Sequence, residues 1–474
     1  MEGEHKARWP FAPGAGRGPL TGLLAGLLVL AAAPAVRAGG FTIIEFGGAK
    51  TGMMTSIAKP YDLSGVYHNP AGIADLHGTR LHLSAGLSFV DAELRLRPWE
   101  AGPGYGASED FIDTPVGADG YFEGTIKPTK YFGVMPMLAA SSDFGLENGP
   151  VVALAAYVPD FIGAFLPEDA PTRYMVTEAY FVAGMAALTV GYRLPAPVDR
   201  VALGVSAGVM YVRIQGARWL NQPLLAGLSA DYVLRLQGED VIPFYNVGAT
   251  VRATDQLTLG LAFIGGSEVR LDGSLEIGLP PGVTEEDPII RALGGLAGEY
   301  DQTTVMQVPP GLCAGLHYQH SEYLAVALDF RYWFYRVFDK QEMYHDIDLE
   351  ILGQPAVANP LITPKDYGDS WTFSLGFQVT PLPDRVPLDL MAGFTYDESP
   401  APNRTKSLDS PTVDLWGFSF GLRYDFNETW RGVLTYYHYF YLRDETTDSV
   451  LTPPQNVDFG GSVDTVSLQL EVRL

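Results

Sequence analysis

The sequence predicts an all-β membrane protein: an antiparallel transmembrane β-barrel of about fourteen strands, with an N-terminal plug and short helices in its outer loops. Three observations carry this. First, 47% of the 474 residues are hydrophobic and only 18% are charged. Yet beyond the first 38 residues no run approaches the ~18 apolar residues of a spanning helix. Second, from Leu81 onward apolar and polar residues alternate with period two, in runs of roughly ten to twenty residues. Globular strands usually hold ~5–6 residues, whereas a tilted membrane strand needs ~9–11 in the hydrocarbon alone. Third, the stretch from Gly39 to Gly78 is apolar, rich in glycine and without sustained period. It is too greasy for water and too broken to cross a bilayer, so it is expected to fold inside the barrel.

Taken in order, the chain opens with an export signal. Lys6, Arg8 and Arg17 precede the apolar core Leu20 to Ala33, and Val36-Arg37-Ala38 offers small residues before a cut. Residues 1–38 therefore read as a cleaved leader, and the mature chain is expected to begin at Gly39. Residues 39–80 form the expected plug and residues 81–474 the barrel. The formal net charge is −24. The leader carries four bases (Lys6, Arg8, Arg17, Arg37) against Glu2 and Glu4, so the mature chain is more acidic still. That argues against a nucleic-acid partner, because phosphate contacts need Lys and Arg clusters.

Expected strand spans are 81–97, 124–141, 150–158, 175–193, 201–216, 234–253, 256–277, 303–318, 323–338, 370–380, 387–397, 412–426, 429–443 and 463–474. Leu81, Leu83, Ala85, Leu87 and Phe89 share one face of the first. The apolar phase then moves to Leu94 and Leu96, which predicts a bulge near Asp91. Leu257, Leu259, Leu261 and Phe263 continue in number phase through Val269, Leu271, Leu275 and Ile277. Trp416, Phe418, Phe420 and Leu422 oppose Ser419 and Arg423, and the last strand alternates from Val466 to Leu474. Short connections such as Thr254-Asp255 and Asn427-Glu428 alternate with long ones such as 338–369, as in outer-membrane barrels.

Two long loops carry apolar residues. Residues 216–233 hold Trp219, Leu220, Leu224, Leu225 and Leu228. Residues 278–302 hold Asp287-Pro288, an N-cap followed by a first-turn proline, then Ile289, Ile290, Leu293, Leu296 and Tyr300. Ile289, Leu293, Leu296 and Tyr300 fall on one helical face. These faces either take up a hydrophobic ligand or pack on each other.

Several motifs are set aside. Gly204-Val205-Ser206-Ala207-Gly208 fits the G-x-S-x-G string of hydrolases, but that string needs a strand-to-helix elbow and here lies mid-strand. His317 and His320 point to opposite sides of a strand and cannot share a metal. No metal or cofactor site is expected. Cys313 is the only cysteine, so no intrachain disulfide can form.

The segment Gly40-Phe41 with Glu45-Phe46, then Asn69-Pro70-Ala71, resembles the plug of the FadL/TodX-type outer-membrane transporters of fatty acids and aromatic hydrocarbons. Tyr396-Asp397-Glu398-Ser399-Pro400-Ala401-Pro402 and Val308-Pro309-Pro310-Gly311 resemble other segments of that family, in the same order. One departure is Leu474, where the family usually ends in an aromatic residue.

The resemblance implies a Gram-negative outer-membrane channel, multi-pass and without cofactor, for passive uptake of hydrophobic small molecules. Cargo would land on the two outer loops, at Trp219, Leu220, Leu224, Leu225, Ile289, Ile290, Leu293 and Leu296. It would then pass a plug that includes Gly39, Phe41, Ile43, Phe46, Asn69, Pro70 and Ala71. It would leave sideways into outer-membrane lipid at a kinked third strand, at Val158 and Pro159. A monomer inserted by the barrel-assembly machinery is expected. Two other classes stay open: a lipid hydrolase resting on Ser206, and a structural or adhesive barrel.

Overall fold

The computed structural model describes residues 46–474, except 104, 130–131, 147, 224–228, 280–282, 285–296, 349, 352–353 and 356. Fourteen strands form its wall. They are β1 (Arg80–Leu96), β2 (Phe132–Ser142), β3 (Val151–Phe165), β4 (Glu178–Arg193), β5 (Val201–Pro223) and β6 (Ser229–Arg252). Next come β7 (Leu257–Ile264, resumed at Ser267–Gly278), β8 (Gly298–Val308, resumed at Gly311–Gln319), β9 (Leu324–Trp333) and β10 (Ser370–Val379). The series ends with β11 (Leu388–Asp397), β12 (Leu415–Asp425), β13 (Trp430–Glu445) and β14 (Val457–Arg473). Each pairs antiparallel with its chain neighbours, and β14 closes on β1 from Arg80↔Arg473 to Leu96↔Val457. Closure pairs the first strand with the last, as a bilayer demands because lipid offers no hydrogen bonds; among the described residues the wall parts only between β2 and β3.

The lower wall has the polarity of a membrane barrel. Leu81, Leu83, Leu87, Phe89, Phe420, Leu422, Leu434 and Leu468 are exposed on the outside, while Ser88, Ser374, Thr395, Ser419 and Thr465 are buried within. Trp371, Tyr396, Trp416 and Phe440 ring the outer edge of this belt, with Trp416 and Phe440 stacked at 4.5 Å. Tyr424, Phe426 and Trp430 ring the other edge. Ten residues separate Trp430 from Phe440. At ~3.4 Å per residue and ~40° tilt this is about 25 Å along the membrane normal, the height of a barrel's apolar band.

Above the belt the polarity inverts. On β1 the outward residues become Asp91, Glu93, Arg95 and Arg97, and the inward ones Val90, Ala92, Leu94 and Leu96. The β1–β14 register runs through unshifted. The expected bulge at Asp91 is therefore absent; the strand is regular and its two faces exchange roles on leaving the bilayer. Outside, Lys127 pairs with Glu93 at 2.7 Å, and Arg95 with Asp119 at 2.6 Å and Asp458 at 3.0 Å. Inside, Val90, Leu94 and Leu96 pack with Trp99, Ile112, Phe122, Val457 and Phe459.

On β7 the inversion does use a bulge. Phe263 pairs with Val247 and Asp272 with Glu239, so nine steps of β7 face eight of β6. The extra residue falls at Gly265-Gly266, and an odd residue flips the faces. Leu257, Leu259, Leu261 and Phe263 hence line the outside, while Val269, Leu271, Leu275 and Ile277 are buried inside.

The short helix expected in the outer loop 216–233 is absent from its described residues, 216–223 and 229–233. β5 and β6, 23 and 24 residues long, stay paired up to Pro223↔Ser229. Trp219 and Leu220 sit on a strand because a paired partner strand satisfies their backbone directly. Tyr300 likewise lies on β8, not on a helical face.

Candidate functional site

Residues 46–78 lie inside the ring. They form two short helices, α1 (Gly48–Met53) and α2 (Gly65–His68), and a 3-10 turn, Pro70–Asp75. Phe46, Met53, Met54, Ile57, Leu63, Val66, Tyr67, Asn69 and Ala71 are all buried. A segment this irregular needs backbone partners, and the inward residues of the wall supply them. The Ser206 hydroxyl donates to the Val66 carbonyl at 2.6 Å, and Asn246 Nδ2 to the Tyr67 carbonyl. The Asp329 carboxylate accepts the Ser56 and Ile57 amides at 2.6 and 3.1 Å. Ser419 donates to the Gly52 carbonyl at 2.9 Å, and Gln469 to Asp62 at 2.9 Å.

Asn69-Pro70-Ala71 occupies a cradle made by two glycines. A Cβ on Gly204 would stand 2.2 Å from the Ala71 nitrogen and the Pro70 carbon, and one on Gly248 2.0 Å from Asn69 Oδ1. Asn69 Nδ2 donates to the Ile57 and Ala249 carbonyls at 2.8 and 3.2 Å, while its Oδ1 accepts from the Ala71 amide at 3.1 Å. Asn69-Pro70 is thus a docking turn. Below it, Asp75 holds Arg193 through both carboxylate oxygens at 2.6 Å and Arg252 at 2.9 Å, fixing the segment to the rim.

These contacts also account for the G-x-S-x-G string. Gly204 admits the Pro70 backbone. Ser206 is fully buried, bonded to Val66 and to Thr189 Oγ1 at 2.5 Å. Among the described residues no imidazole touches it, and it lies on a regular strand.

The wall is incomplete at one place. The β2–β3 ladder ends at Met137↔Tyr157, whereas β1–β2 continues to Phe89↔Phe132 and β3–β4 to Phe165↔Glu178. Contact resumes at Thr129, whose N–H donates to the Phe165 carbonyl at 2.7 Å. The seven residues from 158 to 164 therefore have no ladder partner on the β2 side among the described residues. At ~3.3 Å per residue that is about 23 Å of edge without a ladder. Val158-Pro159 forms a bulge, since Tyr157 pairs with Met185 but Asp160 with Ala183. The strand expected to stop at Pro159 instead bulges there and runs on to Phe165. Pro136 stands directly beside the last rung on β2 and Pro159 two residues past it on β3, so each edge of the gap carries near its start a residue that has no N–H to give.

Trp219 and Leu220 are described and half-buried, on opposite faces of β5. Trp219 meets Tyr174 edge-on at 6.4 Å with Arg173 over its ring at 5.4 Å, and Leu220 packs with Tyr232, Leu275 and Ile277. The structure does not bring these two together. Leu224, Leu225, Ile289, Ile290, Leu293, Leu296, Gly39, Phe41 and Ile43 lie outside the described residues. The sequence places Asp329 on the inward face of its strand, where a lumenal charge network is expected; the structure instead gives its carboxylate to the Ser56 and Ile57 amides. Asn246, Gly248 and Pro136 were not singled out by the sequence at all.

The outer loops are locked to one another. Lys365, fully buried, donates to Ser407 Oγ at 2.9 Å and Asp409 Oδ1 at 3.4 Å. Burial pulls the Lys365 ammonium down, but the Asp409 carboxylate and Tyr367 together outweigh it and leave the pKa raised. Burial pushes the Asp409 carboxyl up, but Lys365 and the Ser407 and Ser410 hydroxyls hold it below its ordinary value.

A family model for "Outer membrane protein transport protein (OMPP1/FadL/TodX)" matches residues 29–447. Among solved structures, a FadL homologue of Pseudomonas aeruginosa superposes with a TM-score of 0.75 at 16% identity, over 92% of this chain and 100% of that one. The toluene transporter TodX of P. putida gives 0.62 at 15% identity, over 91% and 99%. The toluene transporter TbuX of Ralstonia pickettii gives 0.60 at 15% identity, over 92% and 100%. At this identity these likenesses establish the fold. No curated protein sequence matches the chain.

Proposed function

The chain belongs to the OMPP1/FadL/TodX family of outer-membrane transport proteins, and from that premise we propose a passive channel that takes up long-chain fatty acids or related hydrocarbons. The observation that carries this is the broken β2–β3 ladder in an otherwise closed wall. A barrel that only adheres has no use for about 23 Å of strand edge without a ladder, which costs backbone hydrogen bonds in lipid. A barrel that releases greasy cargo sideways needs such an edge.

The steps follow from the polarity of each level. Cargo lands on apolar residues at the outer end of the barrel: Leu224, Leu225, Ile289, Ile290, Leu293 and Leu296 of the loops, with Trp219 or Leu220 at the top of β5 beside them. It enters the upper barrel, whose interior is apolar around the packed cluster of Val90, Leu94, Leu96, Val457 and Phe459. Residues 39–80 act as the plug and keep polar solutes out. A shift of the plug opens the way to the gap above Val158 and Pro159, and cargo leaves into lipid. No energy input is needed, because transfer from water to lipid is itself downhill. Residues 1–38 are the leader, and the protein works as a monomer inserted by the barrel-assembly machinery.

The test is uptake of labelled oleate by a Gram-negative host that lacks its own channel of this family. Wild type should restore uptake, and Ser206→Ala should retain most of it. Loss of uptake together with loss of ester hydrolysis in Ser206→Ala would favour the hydrolase instead.

A further inference from the structure

Tyr157 is the last residue of β3 that pairs with β2, immediately before the bulge that opens the wall. Its side chain is fully buried and points inward, between the wall and the inner segment. Phe46 lies against its ring at 5.1 Å and Tyr67 meets it edge-on at 6.0 Å. In the wall its neighbours are Met137 on β2 and Met185 on β4. Its hydroxyl has no hydrogen-bond partner among the described residues.

A buried O–H without a protein partner costs free energy, and phenylalanine would fill the same space without that cost. A polar group kept at such a place calls for a partner that comes and goes. On the transport reading, cargo moving from the upper lumen to the gap would pass Phe46 and meet this hydroxyl at the lower corner of the opening. We infer that Tyr157 is a hydrogen-bond donor to the head of the cargo at the lateral exit, and that the channel therefore favours chains ending in an oxygen acceptor over plain hydrocarbons. A hydrocarbon leaves the hydroxyl unsatisfied as it passes; a carboxylate or other oxygen head satisfies it, and a charged acceptor does so most strongly.

The inference rests on the transport reading above, and the experiment separates the two. Host cells carrying the full-length wild type or Tyr157→Phe are given radiolabelled oleate and, separately, radiolabelled hexadecane. Tyr157→Phe should lower oleate uptake roughly three- to tenfold, the worth of one hydrogen bond, and leave hexadecane unchanged. The heat-modifiable gel shift should show a barrel at least as resistant as wild type, because the variant removes an unpaired group and no contact. A purely structural tyrosine would not split the two cargoes. Equal change for both, or none for either, overturns the inference while transport stands. A wild type that takes up neither overturns the transport reading itself.

Discussion

Gly204→Ala tests whether residues 46–78 seal the lumen. The added methyl would stand 2.2 Å from the Ala71 nitrogen and 2.4 Å from the Pro70 oxygen. Ordinary carbon contacts begin near ~3.5 Å, so the overlap exceeds about 1 Å. Both atoms are backbone, and Asn69 beside them is tied to Ile57 and Ala249, so the turn cannot yield locally. Overpacking of this kind costs about 1–3 kcal/mol. At ~1.4 kcal/mol per factor of ten, the undocked state gains roughly five- to hundredfold in population. The wall is spared, since Gly204 pairs with Gly191 and Gly248 through backbone alone. In planar bilayers in KCl, open events should rise by that factor while heat-modifiable mobility stays normal. Gly216→Ala is the control: its methyl would meet only the Glu178 oxygen, at 3.7 Å. Wild-type conductance from a folded Gly204→Ala barrel would refute the claim that this turn seats the plug.

Other consequences are open to direct test. Deleting residues 41–64 should leave a barrel that folds, because the wall closes its own hydrogen bonds, but conducts small polar solutes freely; unchanged conductance would count against a filled lumen. Ile290→Glu or Leu293→Glu should slow oleate uptake, each losing up to ~1.5–3 kcal/mol of apolar contact at full burial, with normal gel mobility; normal binding by the folded variant would mean these faces only pack on each other. The Lys365–Asp409 lock should hold across neutral pH. Asp409 has a lowered pKa, so its contribution is complete above the ordinary carboxylate value of ~4 and fades as pH falls through the lower folded value; Lys365 has a raised one, so its share fades only above ~10.4. Hydrogen exchange in residues 398–414 should be flat from about pH 5 to 9 apart from intrinsic rates, and faster in Asp409→Asn.

The wall was legible because period-two alternation fixes strands whatever their surroundings. The count of fourteen, the short turns and the outward faces of β1, β7, β9 and β12 all follow from it. Which side an apolar face takes was not legible. Leu94 and Leu96 looked displaced by a bulge, and Val269 to Ile277 looked continuous with Leu257 to Phe263. Both signals come from one cause, the exchange of faces above the bilayer, which β1 achieves with a regular strand and β7 with Gly265-Gly266. The apolar run at Trp219 and Leu220 fitted a loop helix only while its partner, residues 229–239, was unknown. The inner segment could be recognised as needing a container, but its docking partners are single residues far away in sequence, such as Asp329 and Ser206. No local pattern identifies those.

The claim that cargo leaves through the gap between β2 and β3 is tested most directly by deleting Pro159. One residue fewer removes the two-against-one bulge opposite Gly184 and lets β3 run in register with β4, past Tyr157 and alongside β2. Oleate uptake should fall to near the level of cells without the channel, while the gel shift reports a folded barrel. Undiminished uptake by a folded Pro159 deletion would contradict the lateral exit.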